Sequence, residues 1–189
     1  MKQPCNPISS DLARRVRLVI FDVDGVLTDA GLYTGATANG EVLELKRFDI
    51  QDGMGLKMLR SAGLDVVLVS GRVSEATSIR ATELGIDGCY QIPDAQKLRA
   101  VIQILKEKNI DWADVAMIGD DIPDLAVMRL VGLKAAVANA TGPIAAIADW
   151  RAKRSGGNGA VREFTDALLS ARGELDQVIE AYVQERSRT

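Results

Sequence analysis

The sequence predicts an α/β fold with a doubly wound, mostly parallel sheet, and three observations carry that expectation. Short apolar runs rich in β-branched residues recur as Leu18-Val19-Ile20-Phe21, Val66-Val67-Leu68-Val69 and Val115-Ala116-Met117-Ile118. Such runs read as buried strands. Segments of helical periodicity lie between them, and that alternation indicates βαβ units. Each run also ends in a polar cluster: Asp22 and Asp24, Ser70-Gly71-Arg72, and Gly119-Asp120-Asp121. In an open α/β sheet the strand carboxyl ends converge on one ligand-binding crevice.

The elements follow in order. Residues 1–16 read as a frayed arm with a short helix from Asp11, ahead of the first strand. Residues 30–48 read as a projecting β-hairpin, since Leu32-Tyr33 and the alternating Val42, Leu43, Glu44 and Leu45 flank an Asn39-Gly40 turn signal. Asp52, Gly53 and Gly55 open a helix carrying Leu56 and Leu59, closed by Gly63. After the strand Val66–Val69, a helix with Ile79 and Leu84 stops at Gly85, and a short strand carries Cys89 and Tyr90. Leu98, Val101, Ile102 and Leu105 fall at i, i+3, i+4 and i+7, the clearest helical stripe in the chain. A helix over Asp124–Leu130, a strand over Ala135–Val137 and a helix opened by Pro143 come next. Gly156-Gly157-Asn158-Gly159 forms a loop before a helix with Val161, Phe164, Leu168 and Leu169. Residues 17–172 thus read as one domain, and 173–189 as an amphipathic tail helix with Leu175, Val178, Ile179 and Tyr182.

Composition narrows the chemistry. With 23 basic and 26 acidic residues among 189, the net charge of −3 provides no field for nucleic acid. No apolar run has the length of a membrane span. Pro4, Asn6, Pro7, Ser9 and Ser10 interrupt any signal core, so the cytoplasm is the expected location. Cys5 and Cys89 make no disulfide framework and read as a tail residue and a strand residue. Neither has an arginine six positions on, which excludes a cysteine-phosphatase loop. The chain has no histidine, and this removes Ser-His-Asp hydrolysis, histidine-ligated zinc and phosphohistidine chemistry together. Catalysis must run on carboxylates, lysine, arginine, hydroxyls or a hard metal with oxygen ligands.

Asp22 and Asp24 crowd two carboxylates at one strand end, which disfavours joint ionisation unless a cation or a shared proton relieves them. One reading is a metal-assisted site that forms an acyl phosphate. The other is an Asx-Gly turn ending a strand. Asp120 and Asp121 equally suit a helix N-cap, Lys97 a solvated helix start, and Arg80 a surface pair with Glu83. The glycine cluster reads alone as a loop, and the tail stripe as packing. Taken jointly the set fits phosphoryl transfer: a carboxylate nucleophile, a second carboxylate as acid/base, oxygen ligands for Mg²⁺, and hydroxyl, backbone and lysine clamps on the phosphoryl group.

In their order along the chain, Asp22-Val23-Asp24-Gly25, Ser70-Gly71-Arg72, Lys97 and Gly119-Asp120-Asp121 through Asp124 resemble the four motifs of the haloacid dehalogenase superfamily of phosphatases. The match runs from about residue 18 to about residue 165. Gly31-Leu32-Tyr33, Glu44-Leu45-Lys46, Phe48, Gln51-Asp52-Gly53, residues 80–86 and residues 156–163 are similar to the 3-deoxy-D-manno-octulosonate 8-phosphate phosphatases. The resemblance implies the haloacid dehalogenase type of fold with no cap domain, homotetramers, and a place in lipopolysaccharide precursor synthesis. It implies Asp22 as nucleophile and Mg²⁺ ligand, and Asp24 as acid/base ligating the metal through its carbonyl. Asp120 would ligate Mg²⁺ with Asp121 nearby. Ser70, Gly71 and Lys97 would hold the phosphoryl group, Asp124 would orient Lys97, and Arg72 and Arg80 would grip a sugar-acid carboxylate. Two departures stand out: Ser70 occupies a position where the family often has threonine, and the segment Ile92–Gln96 before Lys97 is slightly long. The expected function is a Mg²⁺-dependent phosphomonoesterase acting on that octulosonate phosphate. The alternatives are a phosphatase of another sugar-acid phosphate, such as a sialic acid-type 9-phosphate, or a non-catalytic assembly module on the same fold.

Overall fold

The computed structural model describes residues 7–86 and 88–187, so the reading of Cys5 as a tail residue lies outside the described residues. In chain order the strands are β1 (Leu18–Phe21), β2 (Tyr33–Ala36), β3 (Val42–Leu45), β4 (Asp65–Ser70), β5 (Gly88–Gln91), β6 (Val115–Gly119), β7 (Leu133–Ala136) and β8 (Trp150–Arg151). The helices are α1 (Ser10–Arg15), α2 (Ile50–Ser61), α3 (Glu75–Leu84), α4 (Lys97–Lys108), α5 (Leu125–Met128), α6 (Gly142–Ile147), α7 (Ala160–Arg172) and α8 (Leu175–Arg186). Six strands form one parallel sheet in the order β5-β4-β1-β6-β7-β8, while β2 and β3 pair antiparallel as a separate hairpin. The sheet order reverses between β1 and β6, and a crevice opens at such a switch point. Phe21 lies opposite both Leu68 and Ile118, so the chain leaves β1 at Asp22 between the ends of β4 and β6.

All four β1 side chains are buried, and their alternation divides the core into two layers. Val19 and Phe21 join Leu56 and Leu59 of α2 and Phe164 and Leu168 of α7 on one face. Leu18 and Ile20 join Val101, Ile104 and Leu105 of α4 and Val127 and Met128 of α5 on the other. Phe21 meets Phe164 edge to face at 6.3 Å. The arm's helix is α1, with Ala13 buried, and Arg172 Nη1 donates to the Ala13 and Val16 carbonyls at 2.9 and 3.0 Å.

Several local expectations are corrected. The buried face of α4 is Lys97, Val101, Ile104 and Leu105, and Ile102 is exposed. The helix is rotated from its apolar stripe because carboxylates draw Lys97 inward. Ile79 is likewise exposed, and α3 buries Thr77, Ala81 and Leu84. The helix expected over Asp124–Leu130 is a 3₁₀ turn at Ile122–Asp124 followed by the short α5. The hairpin loop spans Ala38, Asn39 and Gly40: Gly40 N–H donates to the Thr37 carbonyl and takes φ +80°. This is one residue longer than a two-residue Asn-Gly turn.

After β1 the backbone makes one wide turn over Val23–Leu27, closed by Thr28 N–H donating to the Val23 carbonyl at 3.0 Å. Gly25 takes φ +104° there, which disfavours any other residue. The glycine loop before α7 is the floor of this turn. Gly157 N–H donates to the Val26 carbonyl at 3.0 Å, and a Cβ at Gly156 would overlap the Gly25 carbonyl. Asp52 of α2 fixes the loop's far end by accepting from Gly159 N–H at 3.2 Å and Arg162 N–H at 2.8 Å, capping α7. Burial pushes the Asp52 carboxyl up to about 6, with the N–H groups of Arg162 and Gly159 acting against it. Gly156→Ala is expected to cost about 3 kcal/mol, because the clash is with backbone that cannot yield cheaply. Gly35→Ala, with open space at its Cβ, is the matched control, and urea denaturation of the two variants checks the difference.

Candidate active site

The ends of β1 and β6 bring three carboxylates together. One oxygen each of Asp22, Asp120 and Asp124 lie within 4.8 Å of one another. Asp22 leaves β1 with extended backbone, and its N–H donates to the Ile118 carbonyl at 3.2 Å, which ties it to β6. Asp120 follows β6, and a Cβ at Gly25 would overlap its carboxylate, so the glycine lets the β1 turn pass close to it. Asp124 closes the 3₁₀ turn and accepts from Asp120 N–H through Oδ2 at 3.1 Å. Lys97 enters from the start of α4 with its side chain 3% exposed, donating to Asp22 Oδ1 at 2.6 Å and Asp124 Oδ1 at 2.7 Å.

Electrostatics follow from burial and crowding. Burial pushes the Asp22 carboxyl up to about 7, against the pull of Lys97 and with a further push from Asp120. Burial also pushes Asp120 to about 6 with Asp124 adding to it, and Asp124 to about 6 with Asp22 adding to it. For Lys97 burial acts downward, and Asp22 and Asp124 outweigh it, holding the ammonium at about 12. The donor set is all oxygen, and its members repel one another, which suits a hard divalent cation.

The Asp24 carboxylate is outside this cluster. Its Oδ1 accepts from Lys46 Nζ at 2.6 Å and its Oδ2 from Ser70 Oγ at 3.3 Å. Ser70 Oγ also accepts from Arg72 N–H at 3.1 Å, which holds the loop after β4 against Asp24. Gly71 runs close to Lys97, with 3.7 Å from a Cβ there to Lys97 Cε. Arg72 Nη2 donates to Glu44 Oε2 at 2.7 Å, and Arg72 Nη1 lies 3.9 Å from Asp24 Oδ1. Ser74, burial and Arg72 act on Glu44 in that order, and the two partners hold its carboxyl below its usual range despite burial.

A sequence model of haloacid dehalogenase-like hydrolases matches residues 91–164. The 3-deoxy-D-manno-octulosonate 8-phosphate phosphatase KdsC of Escherichia coli (strain K12) is 41% identical over 174 residues, 90% of each chain. The chain belongs to the 3-deoxy-D-manno-octulosonate 8-phosphate phosphatase family. Among solved structures, the phosphatase of that name from Moraxella catarrhalis, in complex with a magnesium ion, a phosphate ion and a KDO molecule, aligns with TM-score 0.84 at 35% identity. That alignment covers 92% of this chain and 97% of the other. The cobalt-bound family phosphatase of Haemophilus influenzae aligns with TM-score 0.80 at 35% identity, covering 89% and 98%. The parallel sheet with a separate hairpin is thus the fold of this family.

Within that frame, Asp22, Lys97, Asp120 and Asp124 form one cluster, Asp24, Ser70 and Arg72 form a second, and Gly71 runs beside Lys97. Asp121 is exposed and caps the 3₁₀ turn, accepting from Ile122 N–H at 2.8 Å. Arg80 is committed elsewhere: Nη1 donates to Glu83 at 2.8 Å, Nη2 to the Asp49 carbonyl at 3.3 Å, and the guanidinium lies over Phe48. Lys46 and Glu44 are the residues that site reasoning from sequence passed over. The available signal was their alternation with Leu43 and Leu45, which gives the hairpin one charged face.

The raised carboxyls set a pH dependence for the metal-free protein. Their protonated forms are favoured in the folded state, so their contribution to stability is full below about pH 4 and is lost as pH rises through 6 to 7. Metal-free melting temperature is therefore expected to fall between pH 5 and pH 8. Added Mg²⁺ should raise it more at pH 8 than at pH 5, and thermal denaturation at both pH values with and without Mg²⁺ checks this.

Proposed function

We propose that the chain is a Mg²⁺-dependent phosphomonoesterase that hydrolyses 3-deoxy-D-manno-octulosonate 8-phosphate to the free sugar acid and phosphate. What carries the reading is Lys97, buried between Asp22 and Asp124 beside a third carboxylate, with a separate carboxylate, Asp24, held by Lys46 and Ser70. Asp22, Asp120 and the Asp24 carbonyl would hold Mg²⁺. When bound, the ion supplies positive charge for the carboxylates and the phosphoryl oxygens.

An Asp22 carboxylate oxygen attacks phosphorus. The bond from phosphorus to the sugar oxygen breaks, and Asp24 gives that oxygen its proton. Asp24, now a carboxylate, takes a proton from water, whose oxygen attacks the aspartyl phosphate. The bond to Asp22 then breaks, releasing phosphate and restoring both side chains. Ser70, the Gly71 backbone and Lys97 hold the phosphoryl oxygens. Asp124 keeps Lys97 aimed at them, and Asp121 supports the same loop. Arg72, half exposed beside Asp24, is better placed than Arg80 for the substrate carboxylate.

The reading includes a cytoplasmic homotetramer. The hairpin exposes Tyr33, Leu43 and Leu45, which strand pairing and alternation place on one face, and such a face favours burial against other copies. The exposed Ile179, Tyr182 and Val183 of α8 suit a tail that reaches a neighbouring subunit. In domain terms residues 17–172 are the phosphatase unit, with 1–16 as an arm and 173–189 as the tail.

Phosphate release from a panel of sugar-acid phosphates tests the function. Octulosonate 8-phosphate is expected to be the best substrate, ahead of a sialic acid-type 9-phosphate. Release should stop with EDTA and fall at least about a thousandfold in Asp22→Asn. Folded protein with no release from any member would overturn the reading.

A further inference from the structure

We propose that Lys46 is a positioning residue for Asp24, so that the hairpin, through this lysine, sets the orientation of the group that protonates the leaving oxygen. This role presupposes Asp24 as the acid/base of the reading above.

Asp24 sits in the wide turn after β1 with φ −80° and ψ 100°, next to a glycine in the left-handed region. Its backbone is held by the glycine loop beneath, but its side chain is held otherwise. Among the described residues no backbone N–H donates to the Asp24 carboxylate, and its hydrogen-bond donors are Lys46 at 2.6 Å and Ser70 at 3.3 Å. Ser70 is the weaker hold. Its one hydroxyl proton is shared between Asp24 and the Arg72 carbonyl at 3.1 Å. Arg72 lies 3.9 Å away and bonds Glu44 instead. The short, charge-assisted bond from Lys46 therefore selects the Asp24 rotamer.

Lys46 is built for that task. It follows β3 at the hairpin's return, just before the Thr28–Phe48 bridge that closes the hairpin stem. Its side chain is 2% exposed. The ammonium reaches Thr77 Oγ1 at 3.3 Å on α3, and Glu44 stands 3.8 Å away. A buried ammonium keeps one geometry where its partners are fixed, and Thr77 is fully buried. The hairpin and α3 thus aim the ammonium, and the ammonium aims Asp24. A purely structural pair at the hairpin stem would stabilise the fold without favouring one leaving group over another, and this separates the two roles.

The test is single-turnover cleavage, with Mg²⁺, of octulosonate 8-phosphate and of p-nitrophenyl phosphate, whose leaving group departs without a proton. Lys46→Met is expected to slow the sugar phosphate about 30- to 100-fold, as for a misplaced general acid. It should slow the nitrophenyl ester less than about threefold, because its nucleophile and clamps are intact. Asp24→Asn should show the same split, and Lys46→Arg, which keeps the cation, should recover most of the lost rate. If Lys46→Met does not fold, Lys46→Gln is read the same way. Equal slowing of both esters, no slowing, or a change confined to KM would overturn the role of Lys46. Wild-type protein inactive on every sugar phosphate would instead overturn the functional reading itself.

Discussion

The ammonium of Lys97 between Asp22 and Asp124 is the contact on which the rest of the site depends. Removing three charged groups from water is costly, and the cost is met only where geometry and hydrogen bonding are both good. Here α4 gives up part of its apolar stripe to turn a lysine inward, and the 3₁₀ turn after β6 exists to bring Asp124 to meet it. One ammonium does not balance three carboxylates. Burial is the main cause of the upward-shifted carboxyls of Asp22, Asp120 and Asp124, and their mutual repulsion adds to it. A crevice that is short of positive charge in this way is matched to a divalent cation and to a dianionic phosphoryl group brought in with it.

The second half of the site is organised around a different cation. Lys46 and Arg72 stand with Glu44, Asp24 and Ser70 on the hairpin side, separate from the Lys97 cluster. Two carboxylates two residues apart therefore meet two environments, one against a buried ammonium and its acidic neighbours, the other against a hairpin lysine and a serine. Groups of one chemical type placed in unlike surroundings are how a single fold separates nucleophilic from acid/base work.

Much of this was legible in the sequence, because the information was local. The β1, β4 and β6 runs, their polar ends and the order of Asp22, Ser70, Lys97 and Asp120 are one-dimensional signals, and the parallel sheet follows from them. What escaped depended on tertiary partners. Ile102 fits the apolar period of its helix yet is exposed, because Lys97 turns inward to meet Asp22 and Asp124. Strand β8 is two residues long, too short for alternation to register. Lys46 stands out in the sequence only as part of the family-like stretch Glu44-Leu45-Lys46, and its pairing across the chain with Asp24 and Thr77 is what gives it a role. The contact of Arg80 with Glu83 was a local helix pair, and the structure has it.

The turn that presents Asp22 and Asp24 is made near the start of the chain, yet its floor, Gly156 and Gly157, arrives near the end. Arg47 joins the same loop by donating to the Gly157 carbonyl at 2.8 Å. During synthesis β1 emerges early, but the surface that fixes its turn cannot form until the glycine loop and the α7 start capped by Asp52 have followed. Contacts of such sequence separation are made late, after loop closure has been met. The chemistry is thus withheld from incomplete chains: a fragment ending before residue 156 carries all the aspartates of the crevice and Lys97, but lacks the ground on which they stand.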